Sequence, residues 1–339
     1  MSNVENVICP FTFHLQSMAK LEQVLNWLML GDPAIQFQTS RDLIKTSPRK
    51  IIELQKRIAF EGWGARFLSC RKKDGHWGIT FYQPKWTSTH YTLLDLKIIG
   101  LAVDTKPVQE STVMVLNQDF GEDGGINLAR SIKYSDVCVN GMILNYAAYF
   151  LPNHPRLIDI VNFLLEVQMA DGGWNCRYLD PTTRHSSLHS TISVLEGLFQ
   201  FRKSSTYRLQ EILDAEKEAI EFLLKHRLYK SHRNESIIDE RMLRFSFPCR
   251  WRYDVLRCLD YFQDANITYD SRMDDALELV INKQRPDKKW ILQQKHPGKV
   301  HFEMEKTGLP SRWNTLRCLR VLRHFSEHLR PPWLQLLSL

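Results

Sequence analysis

Asp136, Cys138 and His189 place a carboxylate, a thiol and an imidazole at the starts of two neighbouring apolar segments. Such a donor set suits zinc better than magnesium or calcium, and three protein ligands leave a fourth position for water or substrate. Cys176, His90 and His185 are alternative donors in the same region. Each main donor also has a plainer role when taken alone: Asp136 as a helix cap, Cys138 as a small buried hydrophobe, and His189 as a hydrogen-bonded pocket histidine. A second group is cationic, with Arg250, Arg252 and Arg312 standing beside Trp251, Tyr253 and Trp313. Guanidinium forks above aromatic walls suit a diphosphate carried on an apolar chain. Packing is the competing role for the same tryptophans.

These residues need elements to bring them together, and the chain repeats itself. Asp74-Gly75-His76-Trp77-Gly78 returns as Asp123-Gly124-Gly125, then as Asp171-Gly172-Gly173-Trp174, and in weaker form as Asp287-Lys288-Lys289-Trp290. A fixed period of this kind marks a repeat architecture. The segments before the turns are amphipathic: Pro155 to Met169 spaces Leu157, Ile160, Val161, Leu164 and Leu165 for one face of a helix. Those that follow are apolar nearly all round, at 34–43, 90–101, 138–150, 189–198, 250–259 and 310–319, and the last two share Leu-Arg-Cys-Leu. Asp32-Pro33 is a good helix start. Six exposed helices alternating with six enclosed ones predict an all-α, (α/α)6 toroid over residues 1–339 as a single domain, with no alternating strand pattern to oppose it. In such a ring the inner helices start at one end, where free NH groups favour anions.

Tandem helix pairs joined by Asp-Gly-x-Trp turns resemble the α/α toroid of the terpenoid cyclases (squalene cyclase-like) and the protein prenyltransferase β subunits. In that resemblance Trp77, Trp174 and Trp290 specify architecture, with glycine easing the turn and tryptophan packing between outer helices. The run Arg130-Ser-Ile-Lys133-Tyr-Ser-Asp136-Val-Cys138, followed by His189 at the next inner helix, is similar to the farnesyltransferase-like members. The resemblance implies Asp136, Cys138 and His189 as zinc ligands and Arg130 and Lys133 facing a diphosphate. His90, Trp251 and Trp313 join them as substrate contacts, and Arg250, Arg252, Tyr253 and Arg312 are the catalytic candidates. Val139 stands where that family often has tyrosine.

Composition narrows the classes further. The chain has 339 residues, is 43% apolar and carries a formal charge of +7, enough apolar material for a substantial core. All the basic excess lies after residue 200, where 26 Lys and Arg meet 19 Asp and Glu. Seven cysteines without a CxxC pair read as reduced thiols of a cytoplasmic protein. No apolar run is long enough for a membrane helix and no secretory leader is visible. The expected activity is that of a zinc-dependent, prenyltransferase-like enzyme acting on an isoprenoid diphosphate or similar anion, the metal activating a thiol or water. The alternative is a non-catalytic toroid that binds a peptide or polyanion. Nucleic acid is not indicated, since no reader motif is present. Class II cyclisation is disfavoured because no Asp-x-Asp-Asp run exists and Asp274-Asp275 opens an outer helix.

Overall fold

The computed structural model describes residues 10–129 and 132–329, with the backbone alone over 10–18. In chain order its helices are α1 (Pro10–Met29), α2 (Pro33–Thr39), α3 (Pro48–Arg57), α4 (Gly62–Ser69), α5 (Thr89–Ile98), α6 (Lys106–Leu116), α7 (Val137–Phe150), α8 (Arg156–Glu166), α9 (Leu188–Arg202), α10 (Leu209–Lys225), α11 (Val255–Asp264), α12 (Asp274–Asn282) and α13 (Arg312–His324). A π-helical turn, Ser40–Ile44, prolongs α2. The described residues hold one two-stranded ladder, β1 (Trp290–Ile291) against β2 (Pro310–Ser311).

Helices α2, α5, α7, α9, α11 and α13 form the inner ring. Their composition requires it: α7 buries Val137, Val139 to Ala148 and Phe150, so no side of it is free to face water. The outer helices bury a single stripe, as α8 does with Leu157, Ile160, Val161, Phe163 and Leu164. α13 packs against α2 and so closes the ring. No helix among the described residues is long and apolar enough to cross a membrane.

Three repeats use the same joint. The indole NH of Trp77 donates to Phe67 O, that of Trp174 to Leu164 O and that of Trp290 to Val280 O, each at 2.7 Å. Each acceptor is a carbonyl of the preceding outer helix, α4, α8 or α12. The backbone NH of the same tryptophans donates to Thr89, Thr191 and Thr315 on the following inner helices, at 3.1, 3.0 and 3.1 Å. One side chain therefore fastens an outer helix to an inner one while satisfying buried polar groups on both sides. In the second repeat Ile126 replaces tryptophan, and Asn140 supplies the acceptor at 2.9 Å. The glycine after the turn aspartate has positive φ at Gly75, Gly124 and Gly172, and in the degenerate fourth turn Lys288 adopts φ 61° itself.

Helices α7 and α9 approach so closely that their glycines are obligatory. A Cβ on Gly141 would lie 2.6 Å from Ser193 O, and one on Gly197 would lie 2.4 Å from Gly141 O.

Two segments differ from the sequence reading. The helix expected at 250–259 starts only at Val255, because buried Asp254 caps it by accepting from the Arg257 NH at 2.8 Å. Residues before it are irregular, and Arg250 has φ 55°. The helix expected at 310–319 starts at Arg312, and Pro310 and Ser311 form β2.

Candidate functional site

The inner helices enclose a lumen of about 230 Å³. Its walls carry charge where ring packing alone would favour apolar side chains. Arg257 on α11 forms a fork with Glu196 on α9, at 2.8 and 2.7 Å. Arg317 and Arg320 on α13 share Asp260 on α11, at 3.2 and 2.5 Å. Arg320 also reaches Asp42 at 3.1 Å, and Asp42 pairs with Arg41. Lys203 pairs with Asp264 at 3.2 Å. Arg257 and Arg317 are buried, whereas Arg41, Lys203 and Asp264 form an exposed rim near the C-terminal ends of the inner helices. Cations suit that end of a helix.

A second cavity of about 290 Å³ adjoins it. Phe67, Trp86, Phe247, Leu292, Phe302 and Met304 give it apolar walls, and residues 295–305 cover it, carrying His296 and His301. Burial pushes both imidazoles down to about 4.

Arg250 lines both cavities. Its guanidinium lies 4.6 Å from the centre of the Trp86 ring and 3.6 Å from Asp95, a loose ion pair between two buried side chains. Neither carboxylate oxygen of Asp95 has a hydrogen-bond partner, nor has Arg250 Nε. Burial lifts the Asp95 carboxyl to about 6 against the opposing pull of Arg250. Unsatisfied buried polar atoms around a left-handed non-glycine residue are the features that accompany sites awaiting a ligand.

The remaining sequence candidates separate. Trp313 lines the lumen, stacked on Phe247 at 4.3 Å. Asp136, Cys138 and His189 do not converge: no group of three or more His, Cys, Asp or Glu that could hold a metal exists among the described residues. His189 Nδ1 accepts from the Tyr253 NH at 2.8 Å, and its ring meets Trp251 edge-on. Cys138 instead faces Cys176, whose sulfur accepts the Cys138 NH at 3.2 Å. The hydrogen bond with Cys176 and burial raise the Cys138 thiol, which opposes thiolate formation. Asp136 occupies the cap position of α7 without making the capping bond. The residues present therefore do not assemble the zinc donor set, and no chemistry is routed through a metal.

The substitute donors do not repair the set. His185 is exposed, and His90 is buried beside Tyr146, its imidazole pushed down to about 3. His90 accordingly lines neither cavity. Lys133 lies on the surface near Glu122 at 3.5 Å rather than facing a substrate, and Arg130 falls outside the described residues. Tyr253 is a buried structural residue, its hydroxyl donating to Leu228 O at 2.5 Å. Arg312 turns outward to α1, donating to Trp27 O at 3.1 Å. Trp251 and Arg252 stack on each other beside Lys85 and are absent from both cavity walls. Asp275 pairs with Lys230 and Arg227 at the surface, far in character from an acid held for cyclisation.

Sequence reasoning looked at helix starts and so missed Arg257, Arg317, Arg320, Glu196 and Asp260. A usable signal was present, since Arg257 and Arg317 are the charged members of the two Leu-Arg-Cys-Leu runs. A charge within an otherwise buried helix has to face a partner or a cavity.

Ring closure, paired helices and the repeated joints define an α/α toroid, as the terpenoid cyclase resemblance implies. No family model matches the chain, and no curated protein matches it. A polysaccharide lyase structure superposes with TM-score 0.51 at 13% identity, covering 94% of this chain and 99% of that one. At that identity the likeness is one of fold. A type II terpene cyclase from Scytonema, in complex with geranylgeranyl dihydroxybenzoate, gives TM-score 0.43 at 13% identity over 94% and 99% of the two chains.

Proposed function

We propose that this toroid is an enzyme acting on an amphiphilic anion, best represented by an isoprenoid diphosphate. The observation that carries the reading is the position of Arg250, between an aromatic cavity and a lumen rich in guanidinium groups. The isoprenoid chain would lie against Phe67, Trp86, Phe247 and Phe302. Its diphosphate would meet Arg250 and, deeper in the lumen, Arg257 and Arg317. Fixed cations in a site shielded from water offset charge on a departing diphosphate more effectively than they would in solvent. Prenyl transfer fits this arrangement, with the protein supplying orientation and charge stabilisation.

Calorimetric titration with farnesyl diphosphate, farnesol and inorganic pyrophosphate tests the reading. The intact diphosphate is expected to bind more tightly than either fragment, and Arg250→Gln to weaken it by about 10-fold or more, the scale of one charged hydrogen bond. Pyrophosphate binding as tightly as the farnesyl compound would refute the isoprenoid assignment. A second reading, an acidic polymer threaded into the lumen, draws on the exposed basic rim at Arg41 and Lys203. It predicts affinity that rises with polymer length and falls steeply with salt.

A further inference from the structure

Lys97 is the exception among the lumen cations. Arg41, Lys203, Arg250, Arg257, Arg317 and Arg320 each have a carboxylate within ion-pair distance. Lys97 lines the same wall from the last turn of α5 with Leu94 and Ile98, is partly buried, and its ammonium forms no ion pair or hydrogen bond among the described residues. Asp264 and Glu196 act on this cation only from beyond ion-pair distance, so its ammonium has no direct counter-ion. One further lumen donor is unused in the same way: the Tyr261 hydroxyl on α11 is buried without a partner.

We propose that Lys97 anchors the anionic head of the lumen ligand, a phosphate or diphosphate group, and takes up a proton as that anion binds. The inference rests on the anion-binding reading of the lumen given above. It adds which residue makes the contact not already made within the protein, and how binding is linked to pH. The titratable and charged groups lining this lumen with it are Arg41 from the turn after α2, Tyr149 from α7, Glu196 and Lys203 from α9, Cys249 and Arg250 from the segment before α11, Arg257, Asp260, Tyr261 and Asp264 from α11, and Arg317 and Arg320 from α13. Burial depresses the Lys97 ammonium to about 8; Asp264 and Glu196 oppose the shift, and Lys203 and Arg41 add to it. An arriving anion supplies the missing opposite charge and restores the protonated amine. The other lumen cations, apart from Lys203 at the rim, are guanidinium groups, whose charge is permanent in proteins.

The test is isothermal titration of the full chain with sulfate from pH 7 to 9.5, where sulfate itself does not change charge, in two buffers of different ionisation heat. Affinity is expected to fall about 30-fold across that range, following the protonated fraction of an amine with pKa near 8. Proton uptake near pH 8 should approach half an equivalent. Lys97→Met should bind weakly with no pH dependence and no proton uptake. Lys97→Arg should bind well at every pH, because its charge is permanent. Sulfate binding that is equally strong at pH 7 and 9.5, or a Lys97→Met variant that keeps the pH dependence, would overturn the role of Lys97 alone. Absence of any sulfate or pyrophosphate binding, in a variant-free sample with an unchanged melting curve, would overturn it together with the anion-binding lumen.

Discussion

The Asp95–Arg250 contact makes a quantitative demand on stability. Asp95 is fully enclosed, and its carboxyl has an ordinary value of 3.8 that the fold lifts to about 6, chiefly by burial. A carboxyl raised in the folded state holds its proton more tightly there than in the unfolded chain. Its contribution is therefore fully present below pH 3.8 and is lost as pH rises through about 6. A rise of this size corresponds to roughly 3 kcal/mol. Urea unfolding of the parent and Asp95→Asn at several pH values between 4 and 8 reads this directly. Glu216, lifted to about 7 by burial against Arg202, titrates in the same window, so only the difference between the two proteins is informative. Near pH 4 the two should be similar, because a neutral carboxyl and an amide have like shapes. Between pH 4 and pH 8 the parent should lose about 2 kcal/mol more than the variant, the rest of the contribution having gone below pH 4. Parallel curves, or a variant that loses ground to the parent as pH rises, would refute the reasoning and show the ion pair to outweigh desolvation.

Glycine substitution in the inner ring should run against helix propensity. Gly141→Ala or Gly197→Ala gains about 1 kcal/mol of intrinsic helix preference, yet each new methyl would lie within 2.6 Å of a carbonyl oxygen on the facing helix or the glycine opposite. A net loss of stability in thermal unfolding is expected, and stabilisation would disprove the close α7–α9 contact. Trp174→Phe removes the indole NH and leaves the buried Leu164 carbonyl unpaired, which should cost about 1 to 3 kcal/mol in urea unfolding while sulfate affinity stays unchanged. Arg317→Gln should weaken pyrophosphate binding and reduce its salt dependence, measured by titration at two ionic strengths. Equal affinity and slope would place the anion elsewhere.

The repeat was legible from the chain because its cause is local. An Asp-Gly turn followed by tryptophan states its geometry within five residues, and helices enclosed on all sides cannot hide their composition. Asp32 also announced its helix correctly, capping α2 by accepting from Ala34 NH at 2.9 Å. The site was less legible. Asp136, Cys138 and His189 sit at inner-helix starts as the spacing predicts, but rotation about each helix axis decides whether such side chains meet. In the fold, Cys138 turns to Cys176 and His189 to the Tyr253 NH.

The sequence by itself determined the alternation of amphipathic and enclosed helices, the ring they build, and the basic excess of the last 139 residues. Tertiary structure decided where that excess acts. Arg252 and Arg312 pack away from both cavities, while Arg257, Arg317 and Arg320 enter the lumen. Periodicity records which face of a helix is buried, a property of one segment. Whether a buried charge meets a carboxylate, a cavity or nothing depends on residues distant in the chain. Arg250 with Asp95, and Lys97 without a partner, become distinguishable only once the ring has closed.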